Sequence, residues 1–295
     1  MLFSLKPRVR GPFSESLELA KHADATGWDG VWIADHLMPE AGEGPMGECW
    51  TILGALALAL PRVRLGSMVV GNTLRHPVIH AKMAAQVDVM SGGRFTLGLG
   101  AAWQENEHNA YGMELGSVGE RSNRLEEAAA LISSMFKQPF TDFDGRYYQL
   151  KHAPLDPRPV QQPLPLLIGG GGEKRTLRTV ARYADAWNIW GTPEAMVEKG
   201  AILDKHCADV GRNPAEIMRS AQTLIAFADD KDQVERAAGR EATILGTPAQ
   251  MREAVERYAE AGVSEIIVPD FNLGTVAQKK AAFDRFMSEV VSHFR

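Results

Sequence analysis

The chain has 295 residues, enough for one large α/β barrel or for two smaller domains. Its net charge of −5 and pI of about 5.9 disfavour a nucleic-acid or anionic-membrane partner. The longest apolar run, Ile52–Leu60, is too short to span a bilayer, and no apolar region follows the N-terminal cations. Two cysteines, Cys49 and Cys207, lie far apart without metal-ligand spacing, so we expect a cytoplasmic protein.

Short apolar segments alternate with amphipathic segments along the whole chain. Proline at position 77, ahead of Val78–Met90, and a capping box at Thr247–Gln250 are start signals for two helices, the second of which ends at Gly262. Eight strands, each followed by a helix, predict a (β/α)8 TIM barrel. The predicted strands are Leu2–Leu5, Gly30–Ala34, Val63–Val70, Phe95–Leu99, Leu164–Ile168, Ala186–Trp190, Ser220–Phe227 and Glu265–Val268.

The predicted loops differ in length at the two ends of the strands. Links from helix to strand are short, whereas His36–Glu48 and Ala101–Gly119, which follow strands, are long. Barrel enzymes place their sites at the carboxyl ends of the strands. The loop lengths therefore predict a functional site at that end.

Residues 139–163 interrupt the alternation with a predicted hairpin around Asp144-Gly145 and a proline-rich run. We interpret this segment as an insertion and residues 1–295 as a single domain.

Residues 164–190 form a strand–glycine–helix–strand unit. The run Leu164–Ile168 stops at Gly169 to Gly172, and a basic amphipathic helix follows. Glycines permit close backbone approach, and a helix N-terminus offers free N–H groups. Lys174 and Arg175 stand where the helix dipole alone would favour acids, which indicates an anion site. The alternative is a tight turn that binds nothing.

Several motifs stand in order along the chain: Trp32 to His36, Arg75 to Pro77, Val87 to Arg94, Leu97 to Trp103, and Gly169 to Gly172 with Ala184 to Asn188. Each is weak alone, but together they resemble the bacterial luciferase-like monooxygenase superfamily. Within it, they resemble the oxidoreductases that depend on the deazaflavin coenzyme F420. The resemblance covers nearly the whole chain and implies F420 as cofactor, with flavin mononucleotide (FMN) as the alternative.

The resemblance implies roles for residues after the second and third strands. Asp35 and His36 would line the cofactor ring, with His36 as the catalytic residue, since imidazole titrates near neutral pH. Without the resemblance, a strand end with a helix-capping role is the commoner explanation of both residues. Val69 and Val70 would support one face of the ring, where relatives often have a non-proline cis peptide. An ordinary buried strand is the alternative.

Further cofactor contacts are implied by the same resemblance. Asn106 would point toward the cofactor, or would be a solvated loop amide. Lys174 and Arg175 would meet the acidic tail of F420, or would be solvated. The residues implied to hold the cofactor phosphate are Gly170, Gly171, Gly172 and Thr176.

Three tryptophans, Trp50, Trp103 and Trp190, are predicted to line the substrate pocket, although core packing is the commoner fate of such residues. Sugar-phosphate dehydrogenases of the superfamily have a catalytic glutamate near position 103, so tryptophan there argues against a sugar phosphate. Glu105 and Glu107 could act as acids, but surface glutamates are more often solvated than catalytic. No pattern of histidines predicts a metal site.

The sequence therefore predicts an F420-dependent oxidoreductase that transfers a hydride between the deazaflavin and a small, apolar organic substrate. The alternatives are a monooxygenase that uses reduced FMN from a separate reductase, a non-catalytic cofactor carrier, and a barrel that binds only a sugar phosphate. We expect no nucleic-acid or membrane partner. A homodimer is suggested because homodimers are common in the superfamily.

Overall fold

Parallel strands surround a central axis, and helices on the outside connect them. The computed structural model describes residues 1–295. The strands are β1 (Leu2–Lys6), β2 (Gly30–Ile33), β3 (Arg64–Ser67), β4 (Val70–Gly71), β5 (Phe95–Gly100), β6 (Phe140–Asp144), β7 (Gln149–Pro154), β8 (Leu166–Gly169), β9 (Ala186–Trp190), β10 (Met218–Gln222), β11 (Leu224–Phe227), β12 (Thr243–Gly246) and β13 (Glu265–Pro269).

Ten α-helices accompany these strands. They are α1 (Phe13–Ala25), α2 (Cys49–Ala59), α3 (Pro77–Ser91), α4 (Glu105–Ala110), α5 (Val118–Lys137), α6 (Thr176–Tyr183), α7 (Pro193–Asp209), α8 (Lys231–Ala237), α9 (Pro248–Glu260) and α10 (Val276–Glu289). None of them is long and apolar enough to cross a membrane.

The main sheet has the order β3-β2-β1-β13-β10-β9-β8-β5-β4, and β3 also pairs with β5. That last pairing sets Leu65 opposite Phe95 and closes the sheet into a barrel. Around the circle, the eight principal strands follow each other in chain order, as a (β/α)8 barrel requires. The predicted fold class is confirmed.

Alternation along each strand separates two apolar layers. On β2, Val31 and Ile33 belong to the large core between sheet and helices, whereas Trp32 belongs to a smaller cluster with residues of other barrel strands. A Cβ on Gly66 of the neighbouring β3 would overlap the Trp32 ring. Glycine is therefore required there for the indole to fit.

Two predicted strands are longer than the structure allows. The predicted strand Val63–Val70 breaks at the cis peptide bond between Met68 and Val69, and β4 follows it. The predicted strand Ser220–Phe227 breaks at Thr223, after which β11 leaves the barrel and pairs with β12. The apolar run continues through this break because Leu224 and Ala226 pack into a separate small core.

The predicted helix signals and the hairpin are present. Pro77 is the first residue of α3, and Thr247 caps α9 through a reciprocal capping box with Gln250. The predicted turn joins β6 to antiparallel β7, with Gly145 N–H donating to the carbonyl of Tyr148 at 2.9 Å. The long loops after β2 and β5 lie at the carboxyl ends of the strands, where the site is expected.

Gly98 tests how tightly the barrel wall is packed. A Cβ at Gly98 would overlap the carbonyl oxygen of Ser67, which is backbone and cannot rotate away. We expect Gly98→Ala to destabilise the protein by about 1–3 kcal/mol or more. The control is Gly54→Ala in the interior of α2, where the nearest atom to the added Cβ is 3.7 Å away and helix propensity favours alanine. Chemical denaturation of both variants checks this; equal stability of the two would contradict the packing argument.

Candidate active site

A cavity of about 640 Å³ opens at the carboxyl ends of the barrel strands. Strands from both sides of the barrel contribute to its walls, together with the loops after β2, β3 and β5. The predicted site residues that line it are Asp35, His36, Val69, Trp103, Gly170, Gly171, Thr176 and Trp190. The structure therefore brings most of the predicted residues into one place.

Asp35 is a buried carboxylate directly after β2. Its Oδ2 accepts hydrogen bonds from Arg75 Nη1 at 2.8 Å and from Gly71 N at 3.3 Å, whereas its buried Oδ1 has no partner. Burial raises the pKa of Asp35 although the Arg75 guanidinium opposes that shift. Arg75 also donates to Glu48, the N-cap of α2, so this arginine holds Asp35 in place. Oδ1 therefore has unused acceptor capacity.

His36 is oriented by Glu107, whose side chain is only 2% exposed. His36 Nδ1 lies 3.2 Å from Glu107 Oε1, and Glu107 Oε2 accepts from Leu37 N at 2.7 Å. Burial acts against ionisation, but the hydrogen bonds from His36 and Leu37 hold the pKa of Glu107 below its ordinary value. Since an ionised carboxylate only accepts, His36 Nδ1 carries the proton, and Nε2 is the ring atom left for chemistry.

Val69 forms a wall between two glycine strands. A Cβ added to Gly100 would lie 2.6 Å from Val69 Cγ2, and one added to Gly169 would lie 2.9 Å from Val69 Cγ1. Glycine at both positions therefore leaves room for the valine side chain. The preceding peptide bond is cis, as the family resemblance implied. Val70, in contrast, is fully buried in the core behind the cavity. Of the two valines, only Val69 therefore lines the cavity.

The glycine run after β8 forms a cradle of unused backbone donors. Two hydrogen bonds of 2.9 Å hold Gly170 in place. Its N–H donates to the carbonyl of Asn188, and the carbonyl of Gly170 accepts from Trp187 Nε1. The N–H groups of Gly171 and Gly172 have no acceptor in the protein. Gly171 lines the cavity, whereas Gly172 lies outside it. This arrangement suits an anionic group such as a phosphate.

The predicted cations of this segment lie elsewhere. Arg175 Nη1 donates to Gly119 and Asn123, and Lys174 is exposed; neither lines the cavity. The lysine that does line it on this side is Lys199 of α7, which is paired with Glu173 and Glu198.

Two further predictions are corrected by the structure. Asn106 does not line the cavity; its Nδ2 donates to the carbonyls of Pro39 and Glu40 at 3.1 Å and so fixes the loop after β2. Trp50, in the first turn of α2, belongs to the main hydrophobic core, and its ring centroid lies 5.8 Å from that of Phe95. The Trp50 side chain is only 6% exposed because it packs between helix and sheet, which removes the indole from the cavity.

Trp103 and Trp190 stand at the cavity as predicted, and both are partly exposed. The Trp103 ring meets the His36 ring edge to face, with centroids 5.7 Å apart. The Trp190 ring stacks on Phe271 at 5.9 Å. The aromatic walls are therefore on opposite flanks of the cavity, next to β2 and β9.

Sequence reasoning missed five polar residues that line the cavity: Lys6, Glu107, Asn188, Lys199 and Gln222. Asn188 and Gln222 lie on predicted strands and Lys6 directly follows another, and an inward-facing polar residue on an apolar barrel strand is the signal that could have found these three. Glu107 was expected to be solvated, and only its tertiary contacts reveal its role. No group of three or more His, Cys, Asp or Glu side chains is placed to hold a metal ion.

Glu107→Gln tests the electrostatic role of this carboxylate. Folding lowers the pKa of Glu107 from 4.5, so its ionised form stabilises the fold above that pH, and the stabilisation is lost as pH falls through the lower folded value. We expect the variant to lose about 1–3 kcal/mol at pH 7 and to converge with the wild type in acid. Denaturation curves across pH check this, with exposed Glu105→Gln as control. A pH-independent difference would contradict the assignment.

Comparison with known proteins places this geometry in a family. The luciferase-like monooxygenase family model matches residues 3–244. An F420-dependent glucose-6-phosphate dehydrogenase from Microbacterium testaceum is 32% identical over 75% of this chain and 66% of its own length. The chain spans only about half the length of another such dehydrogenase, from Amycolatopsis mediterranei.

Two solved structures have the same fold. An F420-dependent secondary alcohol dehydrogenase in complex with an F420–acetone adduct has a TM-score of 0.86 at 21% identity, covering 98% of this chain and 99% of that one. A monooxygenase from Streptomyces bottropensis has a TM-score of 0.84 at 20% identity and covers both chains fully. Because the family match extends over most of the barrel and its cavity-lining strands, the chain belongs to the luciferase-like monooxygenase family.

Proposed function

We propose that this protein binds coenzyme F420 across the mouth of the barrel and transfers a hydride between the deazaflavin and a small organic substrate. The observation that carries the proposal is a single cavity that contains both the Glu107-oriented His36 and the free N–H group of Gly171. The F420-dependent relatives in the family support the choice of cofactor.

The residues of the cavity fit such a cofactor. Gly171 and Thr176, which both line the cavity, would hold its phosphate through a free N–H group and a hydroxyl. Val69 would support one face of the ring. Asp35 has a buried Oδ1 without a partner, which a donor on the ring would satisfy.

When bound, a deazaflavin supplies two-electron hydride chemistry and the protein supplies positioning and electrostatics. The proton of a reacting hydroxyl would be taken or given at His36 Nε2. Glu107 holds the opposite ring nitrogen, fixes the tautomer and balances the charge that His36 gains on protonation. Trp103 covers the edge of the imidazole and limits access of water to it.

The second candidate is a monooxygenase that uses reduced FMN, and the Streptomyces bottropensis monooxygenase favours it because that protein has the same fold. A deazaflavin does not form the oxygen adduct that flavin monooxygenases use. Oxygen uptake coupled to substrate oxidation in the presence of a flavin reductase would support this second candidate.

Gly171→Ala tests the phosphate cradle. The added Cβ would lie 3.6 Å from its nearest neighbour, Ile189, so the variant should fold normally while the new methyl group obstructs the cradle. We expect about tenfold weaker binding of F420 and unchanged binding of the phosphate-free deazaflavin chromophore. Fluorescence titration measures both. Equal losses for the two ligands, or no loss for either, would contradict the assignment of the phosphate to this turn.

His36→Asn separates an enzyme from a cofactor carrier. Loss of the proton-transfer group should lower turnover by about 10²–10⁴-fold while F420 affinity changes little. Turnover is followed by the deazaflavin absorbance with any alcohol or carbonyl compound that the wild type converts. His76→Asn is the matched control, since His76 caps α3 outside the cavity and asparagine also caps helices. Unchanged turnover in the His36 variant would remove this residue from the reaction.

A further inference from the structure

Lys6 brings a positive charge into the cavity that no carboxylate of the protein neutralises by direct contact. It ends β1 and lines the cavity, and its Nζ donates to the amide oxygen of Gln222 at 2.8 Å. An ammonium group has three N–H donors, and this hydrogen bond uses one of them. The remaining donors are available to a ligand.

The nearby carboxylates are already committed to other groups. Asp270 at the end of β13 accepts from Lys279 Nζ at 2.7 Å and from Arg8 N at 3.0 Å. Asp35 is paired with Arg75, and Glu107 with His36. Lys199, the other cavity lysine, has two glutamate partners. Lys6 is therefore the one cavity lysine whose partner is a neutral amide.

A chain of hydrogen bonds fixes the orientation of that amide. Asn188 Nδ2 donates to Ser220 Oγ, and Asn188 Oδ1 accepts from Gln222 Nε2, both at 2.9 Å. Gln222 must then present its oxygen to Lys6. Three strands, β9, β10 and β1, thus contribute to holding the ammonium group at the cavity wall.

The position of Lys6 in the barrel separates it from the cofactor cradle. In the circular strand order, β1 is four strands away from β8 in either direction, so Lys6 and Gly170 face each other across the barrel mouth. His36 follows the adjacent strand β2 and lines the same cavity as Lys6. A group bound by Lys6 would therefore lie on the side opposite to the phosphate cradle, close to the catalytic histidine.

A second, smaller cavity of about 140 Å³ shares Lys6 with the main one. Arg8 and Arg10 line this second cavity, and the Arg8 guanidinium lies 5.8 Å from the centroid of the Phe271 ring, on which Trp190 stacks. Asp270 also lines this second cavity but is paired with Lys279, so the surroundings of Lys6 are aromatic with an excess of positive charge. Such surroundings favour a ligand that combines a planar apolar part with a negative charge.

We propose that Lys6 is a substrate-binding residue that takes a carboxylate, and that the substrate is an organic acid with an aromatic or apolar body rather than a neutral apolar molecule. The inference rests on the proposed function because it treats this side of the cavity as the substrate side. Burial lowers the pKa of Lys6 to about 8, although Asp270 opposes that shift. A bound carboxylate would compensate the ammonium for its lost hydration.

The test compares benzoate with benzamide, its neutral counterpart of similar shape, by titration calorimetry on the wild type with and without F420. We expect benzoate to bind about tenfold or more tightly than benzamide. Lys6→Met should reduce this preference to about twofold or less while F420 affinity stays the same, and Lys6→Arg should retain most of it. Lys280→Met, at a half-buried lysine of α10 that pairs with Glu18 and lies outside the cavity, is the control and should keep the full preference.

Two results would overturn the proposal: no preference for benzoate in the wild type, or an undiminished preference in Lys6→Met. A third result would also overturn it, by showing that Lys6 binds a carboxylate of the cofactor and not one of the substrate. If Lys6→Met weakens binding of F420 but not of its tail-free chromophore, Lys6 holds the acidic tail of the cofactor and the substrate assignment falls. If the wild type binds no F420, the proposed function fails, and the titrations without cofactor still decide whether Lys6 is a carboxylate site.

Discussion

The attachment of the loop after β2 to helix α4 is the constraint on which the geometry of the proposed active site depends. The carboxylate of Glu107 accepts one hydrogen bond from the His36 ring and another from Leu37 N–H. Neighbouring residues of α4 and its cap add bonds to the same loop, from Gln104 to Met38 and from Asn106 to Pro39 and Glu40. The loop is long and rich in glycine and proline, so these bonds replace the order that its own sequence lacks.

A second consequence of this attachment is electrostatic. The buried acid Glu107 keeps a low pKa because two donors converge on it, and the buried acid Asp35 has a raised pKa because burial outweighs its single guanidinium partner. Two carboxylates within one cavity are thus held in different environments. Glu107 orients His36, the proposed proton-transfer group, and Asp35 keeps a buried oxygen without a hydrogen-bond partner.

The fold could be predicted from the sequence because periodicity and caps are local signals. Barrel strands, the Thr247 cap and the hairpin follow from residues a few positions apart. The break after Gln222 could not be predicted in this way, since Leu224–Phe227 is as apolar as a barrel strand and only the partner strand β12 draws it outward.

The site was predictable where a motif marks it and not where it depends on long-range pairing. The positions of His36 and Gly171 in the cavity follow the motifs, whereas Glu107 becomes a site residue only through a contact with a residue 71 positions away. Lys6 likewise acquires its setting from Gln222, 216 positions along the chain. Trp50 shows the reverse error: an aromatic residue beside a long loop was assigned to the pocket, but its helix turn packs it into the core.

The most direct test of the account is a parallel titration of the purified protein with oxidised F420 and with FMN, followed by absorbance and fluorescence. We predict that F420 binds with a dissociation constant of about 1 μM or lower and that FMN binds at least about tenfold more weakly. Preferential binding of FMN would contradict it and would direct the search for substrates to oxygen-dependent chemistry.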